Sequence, residues 1–332
     1  LTFSHALESM APQNCEWNLA SNIQASLQCN IRTFGSDWNI SHFSSDQSEH
    51  TKSLSVDCSD VLFFQSSLEP RAFQRLYHML HLDIEYCKLT KLPDGTFLGL
   101  DNLESLVVRT HNSDWSAMAL ELTGDSLVGM PRLERLDLGE NNIWNLPKHI
   151  FCPLPALQHL NLTANRLQEV SEVGVIGSCG AQLVTLDLSS NDLVTLPEAG
   201  LTGLQSLRKL FIQYNAISNV QDGALLGLSS LNVLNMSSNR IITLPPDVFN
   251  ETTGLQKLYM QNNSLNIVAP GLFAALSHLT VLDMSYNQLT SEWVTADTFH
   301  GLYRLVVLNL SHNRLAQINL DMFPRHISST SP

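Results

Sequence analysis

The stretch from Leu231 to Leu255 sets the pattern of the chain. Leu231, Leu234, Met236, Ile241, Leu244 and Phe249 are its apolar positions, and Asn239 and Pro245 stand at two further fixed offsets. Leu234 and Met236 alternate with Val233, Asn235 and Ser237, the period of two of a strand with one buried face. Leu244 and Phe249 predict the return of the chain along the opposite side. The frame recurs about every 24 residues in ten copies, beginning at Met79, Leu103, Leu133, Leu157, Leu183, Leu207, Leu231, Leu255, Leu279 and Leu305. One copy alone has too little apolar surface to bury its strand. Stacked copies share a continuous core, so the period predicts a solenoid with a parallel sheet.

The Asn position reads Cys87, His111, Asn141, Asn165, Asn191, Asn215, Asn239, Asn263, Asn287 and Asn313. A buried Asn amide there can serve backbone groups of its own turn and of the neighbouring one. His111 is the departure, in a copy lengthened to about 30 residues; the copies from Leu157 and Leu279 run to about 26. The extra residues are expected to bulge away from the strand face. The pattern is that of a leucine-rich repeat. The expected fold is an α/β repeat solenoid, a leucine-rich-repeat horseshoe with a parallel concave sheet and a disulfide-held N-terminal cap. The expected division is cap and first strand turn over 1–78, repeats over 79–323 and a tail over 324–332.

Residues 1 to 53 lack the frame. Cys15, Cys29 and apolar Trp17, Leu19, Leu27, Ile31, Phe34 and Trp38 lead into the polar stretch from Ser44 to Ser53. A solenoid needs its end covered, so Cys15 to Cys58 is read as a cap, a hairpin with a mobile loop around Ser44 to Lys52. Leu54 and Val56 are spaced as a first strand, with Leu62, Phe63, Phe73 and Leu76 as its return. The expected disulfides are Cys15–Cys29, closing the hairpin, Cys58–Cys87, at equivalent points of successive turns, and Cys152–Cys179, on the return side. Near the C-terminus, Leu310, Leu315, Met322 and Phe323 are expected to be partly uncovered, and the chain to be an N-terminal fragment of a longer protein.

The net charge of −13 disfavours nucleic acid and anionic membrane surfaces and suits a basic protein ligand. No apolar run reaches the roughly 18 residues that span a bilayer. Six Cys and the Asn-x-Ser/Thr sequons at Asn39, Asn161, Asn235, Asn250, Asn262 and Asn309 favour an extracellular compartment. The chain starts without Met or an apolar leader, as a mature chain does after signal removal. No Cys-x-x-Cys pair, phosphate loop or zinc helix is present, so no enzyme activity, metal or cofactor is expected. Asp137, Asp187 and Asp283 share a column, but at roughly 10 Å or more they are too far apart to hold one ion.

The informative surface is therefore the outward face of the strands. Its central column reads Asp83, Val107, Asp137, Asn161, Asp187, Phe211, Asn235, Tyr259, Asp283 and Asn309. Phe211 and Tyr259 are aromatics of the kind that anchor partners. The sequons Asn161, Asn235 and Asn309 fall in the same column, and a glycan at Asn235 would stand between those two rings. The earlier strands are left clear. The expected ligand-binding residues are Asp83, Glu85, Val107, Arg109, Arg135 and Asp137, with the cap edge near Trp38 contributing.

From Cys58 to Phe323 the chain resembles the ectodomain of a Toll receptor, in repeats such as Leu133 to Phe151 and Leu231 to Phe249. The Cys-bearing repeat His81 to Leu100 and the long copy with Ser113 to Leu127 are similar to the long arthropod Toll branch. The resemblance implies a cell-surface, single-pass receptor whose missing part supplies further repeats, a membrane span and a signalling domain. It implies a cystine-knot cytokine of the Spätzle type, or a cell-surface protein, as ligand, a possible receptor dimer, and an immune or developmental role. The alternatives are a secreted matrix protein and an axon-guidance or adhesion protein built of the same repeats.

Overall fold

The computed structural model describes residues 11–18, 25–35, 38–59, 64–112, 118–173 and 177–317. They fall into two compact units, residues 1–166 and 167–332.

The first unit opens with β1 (Cys15–Asn18) antiparallel to β2 (Ser26–Asn30). Cys15 faces Cys29 in that register, and the two are joined in a disulfide. From β2 onward every pairing in the unit's main sheet is parallel: β3 (Ser53–Asp57), β4 (His81–Glu85), β5 (Ser105–Arg109), β6 (Arg135–Asp137) and β7 (His159–Asn161). Ser53 pairs with His81 and Asp57 with Glu85, so the last cap strand runs in register into the first repeat. Cys58 and Cys87, just beyond those strands, form the second disulfide. Cys152 and Cys179 are disulfide-bonded as well.

The stretch expected to be a mobile loop is instead helix α1 (Ser45–His50). Ser44 and Gln47 form a reciprocal capping box: Gln47 N–H donates to Ser44 Oγ at 3.2 Å, and Ser44 N–H to Gln47 Oε1 at 2.8 Å. The helix ends at Thr51, which is fully buried and donates its hydroxyl to Gln47 O. Polar composition concealed a Ser-x-x-Gln helix start. Trp38 is likewise not an exposed edge. It is 3% exposed, donates Nε1–H to Gln13 O and meets Phe34 and Phe43 edge-on. With Leu27, Ile31 and Ile40 these aromatics form the buried core of the cap.

The return side is filled by aromatics. Phe73 stacks on Phe97 with centroids 6.0 Å apart, and Leu76 is buried beside the same return. Leu62, Phe63 and Leu19 lie outside the described residues. Successive turns come close enough at Gly129, φ +99°, for an added Cβ to meet Leu98 Cα at 2.6 Å, so only glycine fits.

The second unit repeats the plan with β8 (Thr185–Asp187), β9 (Lys209–Phe211), β10 (Val233–Asn235), β11 (Lys257–Tyr259), β12 (Val281–Asp283) and β13 (Val307–Asn309), parallel and in register. Within it the Asn amides run as a ladder. Asn239 Nδ2 donates to Ile212 O of the preceding turn and to Met236 O and Ser237 O of its own, and Oδ1 accepts from Ile217 N–H. Asn215, Asn263, Asn287 and Asn313 repeat the arrangement. A strand followed by a tight turn leaves these carbonyls and amides unpaired inside the core; the carboxamide, which both donates and accepts, satisfies them. Leu310 and Leu315 are half-exposed and Val306 is 74% exposed. Met322, Phe323 and the tail 324–332 lie outside the described residues.

Candidate ligand-binding site

The six residues expected to bind ligand lie on three adjacent strands of the first unit. Asp83 is in register with Val107 and Val107 with Asp137; Glu85 is in register with Arg109. Leu82, Ile84, Leu106, Val108 and Leu136 are buried on the other side of the same strands, which is what turns Asp83, Glu85, Val107, Arg109, Arg135 and Asp137 outward.

They are not equally available. Arg109 is fastened to Asp137 through two hydrogen bonds, Nε–H to Oδ1 at 3.1 Å and Nη2–H to Oδ2, and reaches Glu140 at 3.8 Å. Donating these hydrogen bonds to Asp137 raises the Arg109 pKa, with burial opposing it. Asp137 Oδ2 also accepts from Asn161 Nδ2 at 2.9 Å, and Oδ1 from Gly139 N–H at 2.9 Å. Arg109 and Asp137 therefore brace each other across β5 and β6. Arg135 is exposed, and no ion-pair partner stands near it among the described residues.

His111 extends the network. Its Nε2 lies 2.8 Å from Glu85 Oε2 and its Nδ1 2.6 Å from Glu140 Oε2, while its ring stacks on Tyr86 with centroids 3.9 Å apart. With both nitrogens protonated the imidazole donates to both carboxylates; neutral, it donates to one. The His that displaces the ladder Asn thus stands between two carboxylates, one from each of two copies. The ladder is mended from the next turn, where Asn141 Oδ1 accepts from Thr110 N–H and hydroxyl and Nδ2 donates to Val108 O.

Asp83 is the exception in this braced group. Among the described residues it has no hydrogen-bond or ion-pair partner. Burial first, and then the neighbouring Glu85 and more distant Asp137 carboxylates, push its carboxyl above the ordinary carboxylate range, against the pull of His81 and Arg109. Asp83, Glu85, Asp137 and Glu140 give the face four carboxylates against the guanidiniums of Arg109 and Arg135.

Glu140, His111 and Tyr86 were absent from the expected set. Glu140 and Tyr86 follow their strands at positive φ, 59° and 58°, where the period of two no longer reports which way a side chain turns. His111 carried one signal, its presence at an Asn position.

In the second unit Phe211, Asn235 and Tyr259 are register partners on β9, β10 and β11, all half-exposed. Asp187 and Asp283 each use Oδ1 to accept from the backbone and hydroxyl of Ser189 and Ser285.

Parallel strands, one per turn, with an Asn ladder inside define a leucine-rich-repeat protein, and a family model described as leucine rich repeat matches residues 119–167, 181–241 and 237–289. The chain is 50% identical over 314 residues to Toll-like receptor 7 of Drosophila melanogaster; the match spans 92% of this chain and 21% of that protein. The chain belongs to the leucine-rich-repeat ectodomains of the Toll receptor family, a non-catalytic, extracellular class. Solved structures agree in fold. The TLR13–ssRNA13 complex aligns with TM-score 0.68 at 22% identity, over 81% of this chain and 37% of that one. The glycosylated Toll–Spatzle complex of Drosophila aligns with TM-score 0.61 at 16% identity, over 89% and 45%.

Proposed function

We propose that this chain is the ligand-binding part of a Toll-type transmembrane receptor, and that it takes a basic protein on the outward face of β4, β5 and β6. The ligand class is a cystine-knot cytokine of the Spätzle kind or a cell-surface protein, and the outcome is immune or developmental signalling. Asp83 is the observation that carries this reading. Its carboxylate is half-buried, unpaired and crowded by Glu85 and Asp137, and a Lys or Arg placed over it relieves that repulsion on binding. Arg109, Asp137, His111 and Glu140 hold the surroundings rigid, which lowers the ordering cost of association. The net charge of −13 supports a basic protein over nucleic acid. The likeness to a Toll receptor over 92% of the chain favours this over a secreted matrix or adhesion role. Binding of a processed cystine-knot cytokine to the secreted ectodomain, measured for wild type and Asp83→Asn, tests it. The variant is expected to bind more weakly at low ionic strength; equal binding would move the site elsewhere.

A further inference from the structure

The six sequons differ in what the fold does with the carboxamide nitrogen that a glycan would occupy. Asn161 Nδ2 donates to Asp137, Asn309 Nδ2 to Asp283, Asn262 Nδ2 to Ser238 Oγ, Asn250 Nδ2 to Asp247 and Asn39 Nδ2 to Gly35 O. Asn235 alone among them has its Nδ2 without a partner among the described residues. Its Oδ1 accepts from Ser237 N–H at 3.1 Å. By register, its neighbours are Phe211 on one side and Tyr259 on the other. The two rings therefore flank it at one strand spacing each, roughly 5 Å.

The strands that carry these rings are alike. Lys209-Leu210-Phe211-Ile212-Gln213 and Lys257-Leu258-Tyr259-Met260-Gln261 stand on either side of β10. Two aromatic rails suit a sugar, because they cover the apolar C–H faces of its ring. A protein ligand entering from solvent would meet the same rails, but the sequon supplies an occupant already tethered between them.

We propose that Asn235 carries an N-linked glycan whose first sugars are seated between Phe211 and Tyr259, making this face of the second unit a glycan platform. The transfer joins Asn235 Nδ2 to the anomeric carbon of an oligosaccharide and breaks that sugar's bond to its lipid-pyrophosphate carrier. Nδ2 gives up one of its two protons and keeps the other.

The test uses the secreted chain from a eukaryotic host. Glycopeptide mapping reads occupancy, and enzymatic release of glycans from the native protein reads protection, with exposed Asn250 as the internal reference. Asn235 is expected to be occupied, and its glycan to be released at least about tenfold more slowly than that of Asn250, as aromatic contacts of this size imply. Phe211→Ala with Tyr259→Ala is expected to remove most of that difference, and denaturation all of it. An unmodified Asn235, or release at the Asn250 rate from native wild-type protein, overturns the proposal without any variant having to fold. Slow release that survives loss of both rings overturns the seat while leaving the modification. None of these outcomes depends on the ligand site in the first unit.

Discussion

Replacing Asn239 by Ala tests the ladder that holds the turns together. Asn239 is 8% exposed. Its Nδ2 serves Ile212 O at 3.0 Å, Met236 O at 3.1 Å and Ser237 O at 3.1 Å, and its Oδ1 takes Ile217 N–H at 3.1 Å. Alanine leaves the Ile217 amide buried without a partner, whereas Ile212 O, Met236 O and Ser237 O keep Asn215 Nδ2, Asn263 Nδ2 and Tyr214 N–H. A buried unpaired group costs about 1–3 kcal/mol, so the expected loss is of that size. Urea unfolding of the secreted chain reads it as a lower midpoint. Amide exchange localises it, because Ile217 N–H should lose protection before amides of the first unit. Asn219→Ala, at an exposed position of the same unit, is the control and should stay within about 0.5 kcal/mol of wild type. A loss below about 1 kcal/mol for Asn239→Ala, or unchanged protection at Ile217, would show that stacking of Leu234, Met236 and Phe249 holds the turns without the amide.

Asp83→Asn should raise the thermal midpoint at neutral pH. A carboxyl whose folded pKa lies above its unfolded value gives stability that is present in acid and lost as pH rises through the folded pKa, so the gain of the variant should shrink below the ordinary carboxylate range; no gain at neutral pH would refute the repulsion. Arg109→Ala leaves Asp137 and Glu140 without their cation on a partly buried face and should cost about 1–3 kcal/mol in urea unfolding, with Arg109→Lys recovering part of it; no loss would show the pair to be ornamental. Cys58→Ala with Cys87→Ala opens a loop of 29 residues and should cost roughly 3–4 kcal/mol in the chain-entropy picture, checked by the same unfolding curve.

The strands, the ladder and the two N-terminal disulfides were legible because each rests on spacing. A period of two names the buried side of a strand, and a 24-residue repeat places Leu210 beside Leu234 without knowledge of the turn between. The same spacing put Asp83, Val107 and Asp137 in one row. What those residues do to one another was not legible. Glu85 and Glu140 belong to different copies, and only the fold brings both to His111. Arg109 was read as a ligand-binding residue, and its bond to Asp137 on the next strand was not visible in the repeat. The cap misled in the opposite direction, since neither its polar helix nor its buried Trp38 follows the repeat. Periodicity reports which way a side chain turns, and it is silent once the chain leaves the strand.

The most direct measurement is the association rate of a processed cystine-knot cytokine with the secreted ectodomain, wild type against Asp83→Lys, at about 50 mM and about 500 mM salt, conditions that bracket strong and weak screening. Asp83 has no hydrogen-bond or ion-pair partner to lose among the described residues, so the reversal changes the charge of the face and leaves the bracing of Arg109, Asp137 and His111 in place. Association of Asp83→Lys is expected to be slowed by about tenfold at the lower salt, a difference that narrows at the higher salt. Equal rates for the two proteins at both salt concentrations would contradict a cationic ligand on β4, β5 and β6.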